Sequence, residues 1–457
     1  MHDWGYIVKS TEKIRVSRPQ FKNIFVRLRQ SSFVKNVLIV MSGSAMAQLL
    51  GLALYPIISR LFSPSDFGVA GSFNSIATII VAGVTLQYTQ AIMLPKEKED
   101  ALNLFLVSCL CTVAVGSLFL IFCMLAPAFL NNLMKTEGVW ALALLVVATF
   151  VAGVNQSVGA WCVRAKAFKD VAASQVIRSV GERGTQIGFG YLKAGAAGLI
   201  VSRVLATICA SLNLVRVLLP DLWAFRRSIR WERMKQLAKD YRDFPMYSAS
   251  QSITNALSGG LPVLLLVYYY GVTVGGAYAF AGRMLWAPMS LVIGALRPVL
   301  FQKAAEVQNQ GNSLASLYLM ITAGLFALAF FPSIILFIWS PQIFSWVFGA
   351  QWHTAGEYAG ISILWIMFVF CNLPAVLFAK IIRIQRTVFF YDLFLLAARV
   401  SALVLGGLYL SALQTIWLFS LVGAAMNLFL ILMVGYAVME KEGHSSFERI
   451  RNSLMGG

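Results

Sequence analysis

Long apolar runs separated by short polar connections recur along the whole chain. A membrane-spanning helix needs about 20 mainly apolar residues, because each helical residue rises about 1.5 Å and the hydrocarbon core is about 30 Å thick. The pattern therefore predicts twelve membrane-spanning helices. The predicted spans cover residues 36–59, 68–93, 101–130, 138–161, 170–192, 195–216, 244–270, 273–298, 313–339, 356–379, 388–410 and 412–437.

Basic residues are distributed unevenly between the predicted connections. With the N-terminus in the cytoplasm, most of the 37 Lys and Arg lie on the cytoplasmic side, and Arg60, Lys135 and Lys193 lie outside. Such a bias is typical of membrane proteins, whose cytoplasmic loops carry the excess of positive charge. The first 35 residues are polar and basic, so a cleavable signal peptide is not expected there. Both termini are therefore expected in the cytoplasm.

The longest connection divides the chain into two halves that resemble each other. The stretch from Ser44 and the stretch from Ser250 each carry a proline late in one span, followed by a short turn and a run of small residues. Six-plus-six repeats around a central pathway recur in transporters. The predicted organisation is a basic N-terminal arm (1–35), a six-helix bundle (36–216), a basic linker lying at the inner headgroups (217–243), a second six-helix bundle (244–437) and a cytoplasmic tail (438–457).

Composition agrees with a membrane protein, since 59% of the 457 residues are hydrophobic and 12% are charged. The formal net charge is +18, but the basic residues sit mostly in short loops beside spans, so no nucleic-acid partner is expected. The six cysteines fall within apolar runs and are read as small hydrophobes rather than as a disulfide framework. No HExxH, CxxC or GxxxxGK[ST] stretch occurs, so neither metal nor cofactor is expected.

The fifth predicted span contains "SQVIRSVGERGTQ", residues 174–186. Its polar residues recur at steps of three and four and so share about half of one helix surface. A charged side chain at the bilayer centre costs about 2.5–3.5 kcal/mol even on the lenient insertion scale, so a lipid-facing position is excluded. The stretch is therefore predicted to line a cavity. The arginines embedded in predicted spans, away from the span ends, are Arg178, Arg183, Arg203, Arg283 and Arg399.

Three passages resemble a known family. They are "SRLFSPSDFGVAGSFNSI" with the following "AIMLPKEKEDALNLF", then "YYYGVTVGGAYAFAGRMLWAPMSLVIGALRPVLFQKAAE", and "VFGAQWHTAGEYAGISIL". They are similar to the lipid-linked oligosaccharide flippases of the polysaccharide-exporter branch of the MATE-like MOP superfamily, over residues 36 to about 435. The resemblance implies an all-α polytopic membrane protein with two pseudo-symmetric six-helix bundles, the MOP flippase fold, rocking around a central cavity.

The resemblance also implies a substrate, a polyprenyl-pyrophosphate-linked oligosaccharide repeat unit of O-antigen, capsule or exopolysaccharide. Guanidinium groups pair with phosphate oxygens through two parallel hydrogen bonds, which suits a cavity with more arginines than acids. Hydroxyl and amide side chains on spans five and seven would contact the sugars. The expected substrate-binding residues are Arg283, Arg399, Arg178, Arg183 and Arg203, and the expected sugar contacts are Gln175, Gln186, Gln251 and Asn255.

Each charged residue also has a purely structural interpretation. Arg178 could pair with Glu182 one turn later, and Arg399 with Asp392 seven residues earlier on the same face. Arg283 has no acid within one turn of its own helix, and Arg203 could be structural. The acids Glu182, Asp392 and Glu357 are candidates for coupling to protons or cations, although an internal ion pair is the favoured role for each.

Other functions remain open on the sequence alone. A MATE-type multidrug or cation antiporter would favour acids in spans one and seven, which contain none. A membrane glycan polymerase would need larger outer loops with catalytic groups. Three further functions would share the fold or the charge: a lipid II flippase, a teuronic-type exporter and an assembly subunit. The expectation is a non-enzymatic, monomeric flippase of the bacterial inner membrane, whose partners are the lipid-linked substrate, membrane lipids and a glycan polymerase or assembly protein.

Overall fold

Apolar helices make up nearly all of the chain that the computed structural model describes, which comprises residues 45–310 and 313–455. No strand occurs within these two ranges. A helix satisfies its own backbone N–H and C=O groups, as lipid surroundings require. Ten of the described helices are long and apolar enough to cross a membrane, and the chain is a multi-pass membrane protein.

The first half of the chain contains eight named helices after a helical stretch over 45–53. The predicted N-terminal arm and the start of the first predicted span lie outside the described residues. The helices are α1 (Tyr55–Leu61), α2 (Pro64–Gly83), the short α3 (Tyr88–Ala91), α4 (Lys98–Leu125), α5 (Pro127–Met134), α6 (Trp140–Arg164), α7 (Phe168–Tyr191) and α8 (Gly195–Ala224).

The second half follows after a short amphipathic helix, α9 (Trp231–Asp240). A wide turn over Phe244–Ser248 leads into the next helix. The remaining helices are α10 (Ala249–Tyr270), α11 (Val272–Asn309), α12 (Leu314–Phe348), α13 (His353–Cys371), α14 (Leu373–Ile381), α15 (Gln385–Tyr409) and α16 (Ala412–Met455).

Several helix ends differ from the predicted spans for local reasons. Helix α2 ends ten residues early, because Leu86 and Gln87 adopt left-handed backbone conformations that interrupt the helix before α3. Helix α4 ends at Leu125, two residues before Pro127 begins α5. The tenth predicted span is interrupted at Asn372, because Pro374, the second residue of α14, has no N–H to donate to the preceding turn.

Helix α7 is not among the ten candidate spans, although it is 24 residues long. Its polar face explains this, because Arg178, Glu182 and Arg183 lie close together near the middle of the helix and make it too polar for a typical span. The helix packs along α8 and against α6, and both of these neighbours are long and apolar enough to cross a membrane. Helix α7 and the partly described first helix bring the number of crossings to about twelve.

Packing joins the helices of each half and also joins the halves to each other. In the first half α8 packs against α7, α6 and α2, and α4 packs against α6. In the second half α13 packs against α12, α16 and α11, and α10 packs against α11 and α15. Helix α2 crosses between the halves, where it packs along both α10 and α11.

The crossing of α2 and α11 depends on glycines from two of the passages quoted above. A Cβ on Gly68 would overlap the backbone carbonyl of Val272, and a Cβ on Gly276 would overlap that of Pro64. The two backbones are therefore in direct contact at the start of both helices. Small residues allow membrane helices to approach in this way.

Helix α9 is fixed to the first turns of α4 rather than being a free linker. Arg233 makes two hydrogen bonds to Asp100, from Nε at 2.7 Å and from Nη2 at 2.6 Å, and this carboxylate raises the pKa of the Arg233 guanidinium. Asn103 donates to the carbonyl of Ser228 and accepts from the backbone N–H of Arg230. The apolar face of α9 is buried and its charged face is exposed.

Candidate functional site

The polar face of α7 is held in place by hydroxyl groups that bond to neighbouring backbones. Ser174 Oγ donates to the carbonyl of Ala210 on α8, and Ser179 Oγ donates to that of Ala47 on the first helix. Helix α7 ends at Tyr191, where Lys193 and Gly195 adopt left-handed conformations that turn the chain into α8. These contacts set the rotation of α7, and its charged residues face a cavity as predicted from their spacing.

A cavity of about 730 Å³ lies between the first helix, α2, α6, α7, α8 and α11. Its size falls within the range of about 300–1,000 Å³ that is usual for small-molecule sites. Four of the five predicted arginines line it, from three different helices. The charged and amide side chains in its wall are Gln48, Asn155, Gln156, Gln175, Arg178, Glu182, Arg183, Arg203 and Arg283.

Glu182, the only acid among the described residues of this wall, is paired with its sequence neighbour. Arg183 Nη1 lies 3.4 Å from Glu182 Oε1 and donates to Gln186 Oε1 at 2.6 Å. Gln186 Nε2 in turn donates to Glu182 Oε1 at 3.4 Å. The alternative pairing of Glu182 with Arg178 is wrong. Within the described ranges, Arg178 has neither a hydrogen-bond nor an ion-pair partner and faces the cavity.

Tyr55 of α1 connects two of the arginines across the cavity. Arg283 Nη1 donates to the Tyr55 hydroxyl at 2.7 Å. The Arg183 guanidinium carbon lies 4.5 Å from the centre of the same ring, and that of Arg283 lies 5.9 Å from it. Cations are attracted to ring faces at such distances. Tyr55 thus holds two like charges close together without neutralising either.

A second cavity of about 390 Å³ lies on the other side of this cluster, between α2, α7, α8, α10 and α11. Thr78, Glu182, Arg203 and Arg283 line both cavities and form the wall between them. Gln186 and Asn255 line the second cavity only. Asn74 also lines it, and its Oδ1 is buried with no hydrogen-bond partner.

Positive charge dominates the two cavities. Glu182 interacts electrostatically with Arg183, Arg203, Arg283 and Arg178. Four arginines against one glutamate leave three positive charges in excess. In surroundings of low dielectric this excess attracts an anion more strongly than it would in water. A phosphate or pyrophosphate that approaches Arg178 and the shared wall would find unused guanidinium donors.

Four predicted residues lie elsewhere. Arg399 is buried between α13 and α16 and lines neither cavity. Asp392 on α15 is half-buried and forms no ion pair with Arg399 within the described ranges. Glu357 lies 3.7 Å from His353 at the start of α13. Gln251 is exposed on α10, one turn from Asn255, and lines neither cavity.

Several residues of the site were not predicted. Asn155 and Gln156 interrupt one apolar span, and Asn74 interrupts another. An amide side chain within an apolar run is the sequence signal that could have identified these residues. Tyr55 gives no such signal, because an aromatic residue in an apolar run is typical of a packed core. In the part of the chain that the structure describes, no three His, Cys, Asp or Glu residues come together as a metal site.

Comparisons with known proteins bear on the family and the fold. A sequence model of the family described as "Polysaccharide biosynthesis protein" matches residues 57–357. No curated protein matches the chain. The chain is similar in structure to lipid II flippase MurJ in an inward closed conformation, with a TM-score of 0.67 and 11% identity over 90% of this chain and 93% of MurJ.

Two other solved structures belong to the MOP superfamily. An inward-facing multidrug resistance MATE family transporter matches with a TM-score of 0.66 and 14% identity, over 88% of this chain and 98% of that one. A MOP superfamily transporter from Pyrococcus furiosus, described as having a binding pocket of reverse polarity, matches with a TM-score of 0.52 and 14% identity, over 89% of this chain and 98% of that one. The predicted all-α MOP fold is confirmed.

Proposed function

The chain belongs to the family of polysaccharide biosynthesis proteins, and on that premise we propose that it moves a polyprenyl-pyrophosphate-linked oligosaccharide across the bacterial inner membrane. The observation that carries the proposal is the cationic wall between the two cavities. A substrate with a pyrophosphate between a lipid and a saccharide presents its anion between two uncharged parts. The guanidinium groups of Arg203 and Arg283 lie between the two cavities, as the anion lies between the lipid and the saccharide.

In this proposal the pyrophosphate binds at Arg203 and Arg283, which line both cavities, and at Arg178, which has no partner among the described residues. The saccharide fills the larger cavity, where Gln175 and the amides of Asn155 and Gln156 line the wall. Gln186 and Asn255 continue the polar surface into the smaller cavity. The polyprenyl tail stays in lipid.

Alternating access would carry the bound anion from one side to the other. Moving a negative charge outward across a membrane with a negative interior is favourable by about 2.3 kcal/mol per charge per 100 mV. The membrane potential can therefore drive the step. Glu182 remains the one candidate for ion coupling within the site, since Asp392 and Glu357 lie outside it.

A MATE-type cation antiporter is the second function that shares this fold. The same charge argues against it, because three excess positive charges repel an organic cation. The reverse polarity described for the Pyrococcus furiosus transporter fits the idea that pocket charge differs within the superfamily. A glycan polymerase would need an acid or base positioned over an acceptor, and the cavity's one acid is held in an ion pair.

Flipping of a fluorescent polyprenyl-pyrophosphate oligosaccharide in proteoliposomes tests the proposal. Arg283→Gln should slow flipping by roughly ten- to a hundredfold, because a hydrogen bond to a charged group contributes about 1.5–3 kcal/mol. Arg297→Gln is the matched control, since Arg297 is exposed on the same helix. Flipping at the wild-type rate by Arg283→Gln, or efflux of organic cations in place of flipping, would contradict the proposal.

A further inference from the structure

Arg399 occupies a buried cage in the second half of the chain, away from both cavities. It lies in the middle of α15 and is 8% exposed. Its guanidinium carbon is 4.5 Å from the ring centre of Trp365 on α13 and 5.2 Å from that of Phe419 on α16. These two rings are themselves in edge-to-face contact at 5.9 Å. Three helices therefore converge on one arginine.

The guanidinium has donors that no described residue accepts. Arg399 Nε and Nη2 are both buried without a hydrogen-bond partner. Tyr278 and Tyr391 are near enough to interact with it electrostatically, and the Tyr391 hydroxyl donates to the carbonyl of Met426. The alternative interpretation, an ion pair with Asp392, is not observed among the described residues.

Further buried donors without partners among the described residues lie on α13 and α16, the two helices that contact Arg399. Trp365 Nε1, Ser362 Oγ and Ser420 Oγ are buried without hydrogen-bond partners. Ser362 lies one turn from Trp365 on α13, and Ser420 lies one turn from Gly423 on α16. A Cβ on Gly423 would lie 3.1 Å from Arg399 Nη2, so this glycine allows the guanidinium to approach the α16 backbone.

This concentration of donors calls for an acceptor with negative charge. A buried charge without a partner is strongly unfavourable, and contacts with ring faces offset only part of that cost. A cation would be repelled by the guanidinium. The rings of Trp365 and Phe419 lie close to the guanidinium, which favours a small ion over a phosphate ester.

We propose that Arg399, Trp365, Ser362 and Ser420 bind a small inorganic anion, chloride under ordinary conditions, between α13, α15 and α16. The anion neutralises the buried guanidinium and links the three helices. The site is separate from the substrate cavities, because none of its four residues lines either of them. It therefore does not depend on the proposed flippase activity.

Thermal unfolding of the full-length protein in detergent tests the site. Sodium chloride replaces sodium gluconate at constant sodium concentration, because gluconate is a much larger anion than chloride. Binding to the folded state alone raises Tm as the ligand concentration rises above Kd. The wild type should show a saturable rise in Tm with chloride and with bromide, and Arg399→Gln should lose it. Arg297→Gln, an exposed arginine, should keep the full rise.

Trp365→Phe guards against a variant that fails to fold, because it keeps an aromatic ring beside Arg399 while it removes the Nε1 donor. It should retain the rise in Tm at several-fold higher halide concentration. Crystals of the wild type soaked in bromide should give an anomalous peak next to Arg399 Nε. A Tm that is the same in chloride and gluconate, a rise with phosphate alone, or bromide peaks only in the substrate cavity would each overturn the proposal.

Discussion

At the scale of single residues, the candidate site depends on an imbalance of charge. Glu182 is largely enclosed, with 15% of its side chain exposed, and it faces four arginines while pairing directly with one. Its neighbour Arg183 is enclosed to a similar degree, at 12%. The carboxylate therefore limits the mutual repulsion of the guanidinium groups, and it also competes with a substrate anion for them.

Glu182→Gln should lower stability and tighten the binding of anions. Loss of a buried counter-charge costs about 3–5 kcal/mol when a pair is fully buried, and the adjoining cavity reduces this to roughly 1–3 kcal/mol. Thermal unfolding would measure the loss, and binding of pyrophosphate would measure the gain in affinity. Glu357→Gln is the control, because Glu357 is outside the site. Unchanged pyrophosphate affinity with Glu182→Gln would contradict this account of the charge.

The aromatic ring of Tyr55 is expected to matter more than its hydroxyl group. Tyr55→Phe keeps the surface on which Arg183 and Arg283 lie and removes one hydrogen bond to a neutral oxygen, whereas Tyr55→Leu removes both. We expect flipping to fall less than tenfold with Tyr55→Phe and more than tenfold with Tyr55→Leu. Equal losses in the two variants would show that the hydroxyl is the essential group.

At the scale of elements, α9 is held by a small number of polar contacts with the first turns of α4. Its paired Arg233 and Asp100 are partly exposed, with 40% and 21% of their side chains accessible. Partly exposed ion pairs contribute at most about 1 kcal/mol, so this contact positions the helix more than it stabilises the protein. Helix α9 also exposes Trp231 toward the surroundings, which suits an element lying at headgroups.

Asp100→Asn should loosen α9 without unfolding the membrane helices. Hydrogen exchange in α9 should become several-fold faster because the bidentate contact with Arg233 is lost, while Tm changes little. Glu232→Gln is the matched control, since Glu232 makes only an exposed contact of 3.7 Å with Lys235. Exchange in α9 that remains at the wild-type rate would show that the apolar face alone fixes this helix.

At the scale of the whole molecule, the end of the bundle that is predicted to face outward is closed by contacts between the halves. Trp352 Nε1 donates to the carbonyl of Ser59 at 2.8 Å, and Ser59 Oγ donates to that of Phe348 at 2.9 Å. Trp352 also stacks on Phe280 at 3.9 Å. All three family-like passages meet here. The glycines at the α2 and α11 crossing bring the backbones of the first two passages together.

Gly276→Val should prevent this closure, because its side chain would occupy the space of the Pro64 carbonyl. Distances between spin labels on Lys135 and Leu410, in a background without the six native cysteines, should shift to longer values. Gly294→Val, on the same helix, is the control because a Cβ there meets nothing within 4 Å. An unchanged distance distribution in a folded Gly276→Val protein would show that the contact does not control closure.

The sequence by itself determined the helical class, the approximate positions of the spans and the polar face of α7. These follow from local hydropathy and helical period, which act within a single segment. Four arginines of the cavity were also predicted, because an embedded charge must avoid lipid.

Only the tertiary structure decided which side chains meet. How the helices rotate and cross decides three features of the molecule. These are the pairing of Glu182 with Arg183, the contacts of Tyr55 with two arginines and the burial of Arg399. Those angles are set by close contacts between segments distant in sequence, such as Gly68 against Val272. Arg283 and Arg399 lie at similar depth in their spans, yet the rotation of each helix directs one to the cavity and the other into an aromatic cage.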